Sequence, residues 1–400
     1  MIPHEVLGSK RLASATWSLL AEPGAETAGA LRAALGVTGA LEWTRRVLQT
    51  DDDGVPARLL AELASGAGSL DLATAERVRR GVDRWRRRAR DADPRPLIER
   101  LERLEGRLVC PGDEDWPVGL DDLGAGAPAC LWWRGALDAV RLAERSVAVV
   151  GSRAATPYGT HLAGEMSAEL ADRSFAIVSG GAFGIDVAAH RGALAVGGHT
   201  VVLLAGGVDR PYPASHARVF EQVRAEGGGI VSEVPLGWSP TRSRFLLRNR
   251  LIAALSRGTV VIEAALRSGA LSTARQAAAL LRPVGAVPGP VTSSASAGCH
   301  GLVRDAVATL VSSADEVADL VGALGVDSAA EVSGPLVVTD GLGEVARRVL
   351  DAVPVRRGAS LDSVLRTAGV GDREGKSALG LLELGGLVRR SGERWVRRAV

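Results

Sequence analysis

Five arginines, Arg242, Arg244, Arg248, Arg250 and Arg257, lie between Val234 and Ile262 with no aspartate or glutamate among them. The whole chain balances 48 basic against 46 acidic residues, so an acid-free stretch of this length concentrates positive charge locally. Arg248 and Arg250 flank Asn249 a few residues after Phe245, where the pattern predicts the start of a helix. Guanidinium forks suit phosphates, an amide suits base edges and a ring suits stacking. The combination fits single-stranded nucleic acid. The alternative is that these arginines pair with acids such as Glu233 and Glu263 and orient the edge of a sheet.

Three other stretches have the composition of phosphate cradles. Gly151-Ser152-Arg153 follows an apolar run and precedes Thr156-Pro157, a helix start. Glycine permits close backbone approach there, the helix start offers N–H groups and Arg153 adds a planar fork. Ser179 and Gly180 open SGGAFGID, and Ser268-Gly269 leads to Thr273 at a further helix start. Asp186 and His190, four residues apart, share a helix face, either as an acid–base pair or as a cap-region hydrogen bond.

Other chemistry finds no support. SGGAFGID is not G-x-G-x-x-G, and no acid ends the second run to take a ribose, which argues against a dinucleotide. Gly375-Lys376-Ser377 resembles the tail of a P-loop, but Val370 occupies the place of its first glycine. Cys299 and His300 are neighbours that point apart on a helix. The six histidines lack metal-binding spacing, and Cys110, Cys130 and Cys299 lack C-x-x-C spacing. No metal and no cofactor are expected, and the thiols should be buried.

The elements that must position these residues are legible as runs. VAVVG, FAIVSG, TVVLLAGG, GIVSEV, TVVIEA and VGAVPG between 147 and 289 are short, apolar and separated by helix-length segments. Such runs are buried on both faces, which predicts an α/β fold with a doubly wound, mainly parallel, extended Rossmann-like sheet. Ligands then bind beyond the carboxyl ends of the strands. Residues 1–107 read as a helical N-terminal domain, 108–323 as the core, 324–335 as a linker, and 336–400 as a small winged-helix-like domain with three helices and a hairpin about Ser391-Gly392-Glu393. The segment 111–135 reads as a Pro/Gly-rich connection. Eight arginines between Arg77 and Arg90 form either a solvated face or a nucleic-acid contact. The last unit, net +4 from Asp340 to Val400, either reads DNA, contacts protein or simply packs. No apolar run reaches the roughly 18–20 residues of a membrane helix and the N-terminus lacks the order of a signal peptide, so a cytoplasmic protein without membrane contact is expected. Only two of the basic residues, Lys10 and Lys376, are lysines; arginine positions therefore carry the argument, not arginine abundance.

The motif order GSR, SGGAFGID with His190, AGGVDRPYP, SEVP, FLLRNR, SGALSTA and VPG resembles the DNA-processing protein A family (DprA/Smf) over about residues 108–311. The resemblance implies a non-enzymatic protein that binds single-stranded DNA, loads the RecA recombinase, supports natural transformation and recombination, and forms a homodimer through the core. It places DNA-phosphate contacts at Gly151, Ser152, Arg153, Ser179, Gly180, Arg248, Asn249, Arg250, Ser268, Gly269 and Thr273, to which the acid-free arginine segment adds Arg244 and Phe245. Asp186, His190, Tyr212, Pro288 and Gly289 would shape the pocket, Tyr212 or Phe245 stacking a base. Gly181 stands where the family has leucine, Leu246 where it has proline, His300 where it has asparagine and Ala306 where it has glycine. The competing class is a Rossmann-like phosphohydrolase acting on a mononucleotide, whose P-G-G-x-G-T-x-x-E signature is missing. A purely protein-binding scaffold would not require Arg153, Arg248 and Arg250 together near strand ends.

Overall fold

The computed structural model describes residues 2–50, 61, 63, 71–136, 142, 144–323, 325–329 and 341–398. Most of the expected linker therefore lies outside the described residues. The chain divides into two compact units, Met1–Ala329 and Ala330–Val400.

In the first unit the helices α1 (Lys10–Leu20), α2 (Glu26–Leu48), α3 (Leu72–Arg88) and α4 (Arg95–Arg103) precede the sheet. Ser9 caps α1 and Asp71 caps α3 by accepting from Thr74 N at 2.7 Å, each satisfying a helix-start donor. Trp17, Trp43 and Trp85 are buried among these helices with Leu31, Leu41 and Val82, and Trp17 meets Trp85 edge to face at 5.2 Å.

The sheet has nine strands: β1 (Gly106–Val109), β2 (Leu131–Gly135), β3 (Ser146–Val150), β4 (Ala176–Ser179), β5 (Thr200–Leu203), β6 (Gly229–Ser232), β7 (Gly258–Val261), β8 (Val284–Ala286) and β9 (Thr309–Leu310), in the order β1-β2-β6-β5-β4-β3-β7-β8-β9. From β6 to β9 every neighbour is parallel. The six apolar runs are six of these strands, and the doubly wound, mainly parallel sheet is as expected. One expectation fails. Residues 131–135 are a strand inside the segment read as a connection, because Leu131-Trp132-Trp133 pairs antiparallel with β6 and with β1. Its tryptophans are fully buried, so packing overrides the flanking Pro/Gly signal.

Helices α5 (Pro157–Asp172), α6 (Ile185–Ala195), α7 (Ala217–Ala225), α8 (Arg242–Leu255), α9 (Ala270–Ala279), α10 (Ala297–Arg304) and α11 (Ala314–Val321) cover the sheet. The chain leaves β3 toward β4, β5 and β6 and then returns to β7 on the other side of β3. The strand order reverses between β3 and β7, the place where open α/β sheets hold ligands.

His190, on α6, is completely buried. Thr200 Oγ1 donates to Ile177 O at 2.7 Å, so it accepts from His190 Nδ1 at 2.7 Å, and Nε2 is left bare and unpartnered. The acid–base reading with Asp186 fails, since His190 bonds Thr200 instead. Burial pushes the imidazole down to about 3. The folded state then refuses a proton that the unfolded chain takes below about pH 6.5, so stability should fall by about 1.4 kcal/mol per pH unit on acidification through that window and be flat above it. Burial raises the Asp186 carboxyl, with Arg248 and Arg153 opposing; its contribution has the opposite sign and is lost as pH rises above its unfolded value, so it offsets part of the decline at the acid end. Urea midpoints measured at about pH 7 and about pH 5.5 should therefore differ, and His190→Gln should flatten that difference.

All three cysteines are buried and unpaired. Burial raises Cys110 and Cys299 to about 11 and also pushes the Cys130 thiol well above its ordinary value. None should react with a thiol reagent at about pH 8 until the chain unfolds, because the thiolate is the reactive species. Labelling the native protein at any of them would contradict the packing.

The second unit holds α12 (Glu344–Ala352), β10 (Ala359–Ser360), α13 (Leu361–Ala368), α14 (Asp372–Leu384), β11 (Val388–Ser391) and β12 (Arg394–Arg397). Val349, Leu350, Val364, Leu379 and Leu382 form its own core. Three helices and the hairpin at Gly392 stand where the sequence places them, and the short β10 completes an antiparallel sheet in the order β10-β12-β11.

Candidate nucleic-acid interface

A cleft of about 970 Å³ opens at the switch point between β3 and β7. Its walls come from the loops after those strands, from α8 and from the start of α9. Five arginines line it, Arg153, Arg242, Arg248, Arg267 and Arg275, against a single acid, Asp186. All but Arg248 are exposed, so the cleft presents four exposed guanidinium groups and one buried cation.

Arg248 sits at the base. It donates to Leu203 O at 2.7 Å, and burial pushes its guanidinium down to about 10 while Asp186 supports the charge. It remains a cation at neutral pH. The room it occupies comes from Gly180, where an added Cβ would collide with the guanidinium. Gly180 therefore serves the site by leaving space, and Ser179, whose hydroxyl donates to Val149 O at 2.6 Å, anchors the strand end. Neither lines the cleft.

The loops are tied together before any ligand arrives. Ser152 N donates to Glu263 O at 2.7 Å, and the Glu263 carboxylate accepts from Thr156 N at 2.9 Å and Thr156 Oγ1 at 2.7 Å. Thr156 is also the N-cap of α5. Gly151 is required by close approach: a Cβ there would meet Ile185 Cγ1 at 2.5 Å and Glu263 O at 2.9 Å. Arg153 lies over the Phe245 ring at 4.5 Å, and Tyr212 tilts against the same ring at 5.6 Å. Tyr212 is half exposed, which leaves it the accessible ring of the pair.

Several expected residues stand elsewhere. The helix begins at Arg242, one to two turns before the expected start, because Thr241 caps it by accepting from Arg244 N. Arg248, Asn249 and Arg250 are thus in mid-helix, where backbone N–H groups are already bonded. They point to different places. Asn249 donates to Gly269 O at 3.2 Å, fixing the start of α9 and not reading an open edge. Arg250 pairs with Glu233, the alternative noted from the sequence, and lies outside the cleft. Arg244 binds Glu22 at 2.9 Å and Ser239 O at 2.9 Å, also outside it. Burial opposes ionisation of Glu22, but hydrogen bonds from Arg244 and Arg88 outweigh it and hold the carboxyl below its usual range.

Gly151, Ser152, Arg153, Asp186, Tyr212, Phe245, Arg248, Asn249, Ser268, Gly269 and Thr273 do come together in the cleft. Pro288 and Gly289 do not line it; their carbonyls are held by Tyr158 at 2.8 Å and His300 at 3.0 Å. Sequence reasoning missed Arg267 and Arg275 as site residues. The signal was available for Arg267, which directly precedes Ser268 after a strand, and for Arg275, one helical turn into α9. Among the described residues no group of three His, Cys, Asp or Glu side chains could hold a metal ion, and no helix is long and apolar enough to cross a membrane.

The family model described as DNA recombination-mediator protein A matches residues 107–322. A DprA-named protein of Mycobacterium tuberculosis is 44% identical over 359 residues, covering 85% of this chain and 90% of its own length. Protein Smf of Escherichia coli is 42% identical over 190 residues, 48% of this chain and 50% of that protein. The solved structure of DNA processing protein A from Streptococcus pneumoniae superposes with a TM-score of 0.58 at 28% identity, over 77% of this chain and 96% of that one. The cleft, the motif order and these likenesses agree, and the chain belongs to the DNA recombination-mediator protein A (DprA/Smf) family.

Proposed function

We propose that this chain binds single-stranded DNA in the cleft between β3 and β7 and passes it to the RecA recombinase, without turning over a substrate. The observation that carries the reading is the charge arrangement: five arginines and one acid line a cleft at the switch point. A strand with one phosphate per nucleotide complements several separated guanidiniums, whereas a mononucleotide engages few of them. Tyr212, half exposed at the rim, supplies a stacking surface that is indifferent to base identity. The likeness to the family supports delivery to RecA, a role in natural transformation and a homodimer through the core. It also supports a helical domain over 1–107, a core over 108–323 and a winged-helix-like domain over 336–400.

Fluorescence anisotropy of a labelled single-stranded oligonucleotide over a salt series tests the reading. Affinity should fall with a log–log slope of about −0.7 per phosphate engaged, and Arg153→Gln with Arg267→Gln should reduce that slope by about 1.4. Duplex should compete poorly. No binding at low salt, together with hydrolysis of a mononucleotide, would overturn the reading in favour of the phosphohydrolase.

A further inference from the structure

The arginine-rich helix α3 takes no part in the cleft, yet its charges are sorted. Ala75, Val78, Val82 and Trp85 are its buried face. Arg77, Arg80, Arg84 and Arg87 are exposed and, spaced by three, four and three residues, fall within about 80° of arc on the opposite face, over about 15 Å of helix. Arg80, Arg84 and Arg87 make no hydrogen bond or ion pair among the described residues, while Arg77 donates to Thr74 Oγ1 at 2.5 Å. The two acids at the margin are Glu76, which is engaged by Arg79 at 2.7 Å, and the exposed Asp83. Glu76 stands four residues before Arg80 and Asp83 four before Arg87, the spacing of helical ion pairs, but neither acid is within ion-pair distance of those two arginines. Here four cations are aligned and three of them make no hydrogen bond or ion pair among the described residues, Arg80 acting on Glu76 only at a distance.

The stripe also leads somewhere. Its carboxyl end is tied to the start of α8, one wall of the cleft, through Trp238, whose ring is covered by Arg88 at 5.2 Å and by Arg244 at 4.7 Å. Glu22 accepts from both of these arginines. Their charge is therefore spent on holding α3 against α8, and both of these helices carry further, exposed arginines: Arg242 in the cleft, and Arg77, Arg80, Arg84 and Arg87 along α3. The arginines along the stripe stand about 4.5–6 Å apart by helical rise, short enough for successive phosphates of an extended single strand to reach them.

We propose that the exposed arginine stripe of α3 is a second contact for single-stranded DNA, taking the phosphate backbone of the part of the strand that emerges from the cleft. The proposal rests on the cleft's being the first contact. It predicts that strand length matters: a short oligonucleotide fills the cleft alone, and a long one also lies on α3.

The test compares an oligothymidylate of about 6 nucleotides with one of about 30, the first within the span of a single binding module and the second well beyond it. The triple variant Arg80→Gln, Arg84→Gln, Arg87→Gln keeps good helix formers on an exposed face, and circular dichroism checks that it folds. It should bind the short strand as the unaltered protein does, bind the long strand about tenfold more weakly, and show a salt slope on the long strand reduced by about 2, for three lost phosphate contacts. The corresponding triple lysine variant should restore both. Unaltered affinity and slope of the glutamine variant on the long strand would overturn the stripe and leave the cleft standing. Binding of the long but not the short strand, lost in the glutamine variant, would uphold the stripe and sink the cleft. No binding of either strand by the unaltered protein would overturn both.

Discussion

Arg250→Ala is expected to lower the unfolding free energy by about 3–5 kcal/mol while leaving the affinity of the folded protein for single-stranded DNA close to unaltered. The Arg250 and Glu233 side chains are 8% and 10% exposed and form an ion pair. Glu233 also accepts from Gly24 N at 3.3 Å, so the pair joins the loop between α1 and α2 to the end of β6. Removing the guanidinium leaves a carboxylate in a site that water barely reaches with only the more distant charge of half-buried Arg32 to support it, and the cost is that of a poorly compensated buried charge, not of one lost contact. Gly24 fits the same site, for a Cβ there would meet Arg250 Nε at 2.9 Å, and its φ of +66° suits glycine. Urea unfolding gives the stability and anisotropy gives the affinity. Arg250→Met with Glu233→Leu and Arg32→Met, which removes the three charges together, should recover much of the loss, because Arg32 is the other cation supported by Glu233. A stable Arg250→Ala protein that no longer binds DNA would return this residue to the interface.

That contrast shows how far the sequence could be read. The sheet was legible because buried parallel strands announce themselves as uninterrupted apolar runs, and each of the six runs is a strand. The position of the site followed from the same runs, since it lies where strands end. The strand at Leu131–Gly135 was hidden because glycine and proline surround it and its evidence is tertiary: two buried tryptophans pairing with β6. Side-chain destinations were the least legible. FLLRNR displays three polar residues in a row, yet successive positions on a helix point about 100° apart. One goes to the cleft, one to the start of α9 and one to Glu233. Abundance of arginine could not separate these roles; burial and partners do. Arg267 and Arg275 join the cleft lining from a loop and a helix that the sequence marked for small residues and hydroxyls.

Arg248→Ala is expected to weaken single-stranded DNA binding by about a hundredfold, the upper range for a charge-assisted contact at a desolvated site. Arg248 is the one buried cation of the cleft, and its position is fixed from three sides: Leu203 O accepts from it, Gly180 leaves it room, and Asp186 faces it. Such preorganisation means that a phosphate meets a guanidinium already in place and already stripped of water, whereas the exposed rim arginines must first be ordered. The loss should therefore exceed that of Arg153→Gln or Arg267→Gln singly. It should also persist at higher salt, because screening weakens exposed charges more than buried ones. Arg248→Lys separates charge from shape: it keeps the cation but not the planar fork, and should fall between the two. Asp186 supplies the internal control. Without Arg248 its carboxyl loses the principal charge that opposes the effect of burial, so it should take up its proton at higher pH in Arg248→Ala than in the unaltered protein, which carboxylate-resolved NMR titration would register. Should Arg248→Ala bind as tightly as Arg153→Gln does, the base of the cleft would be scaffold and the rim alone would hold the strand.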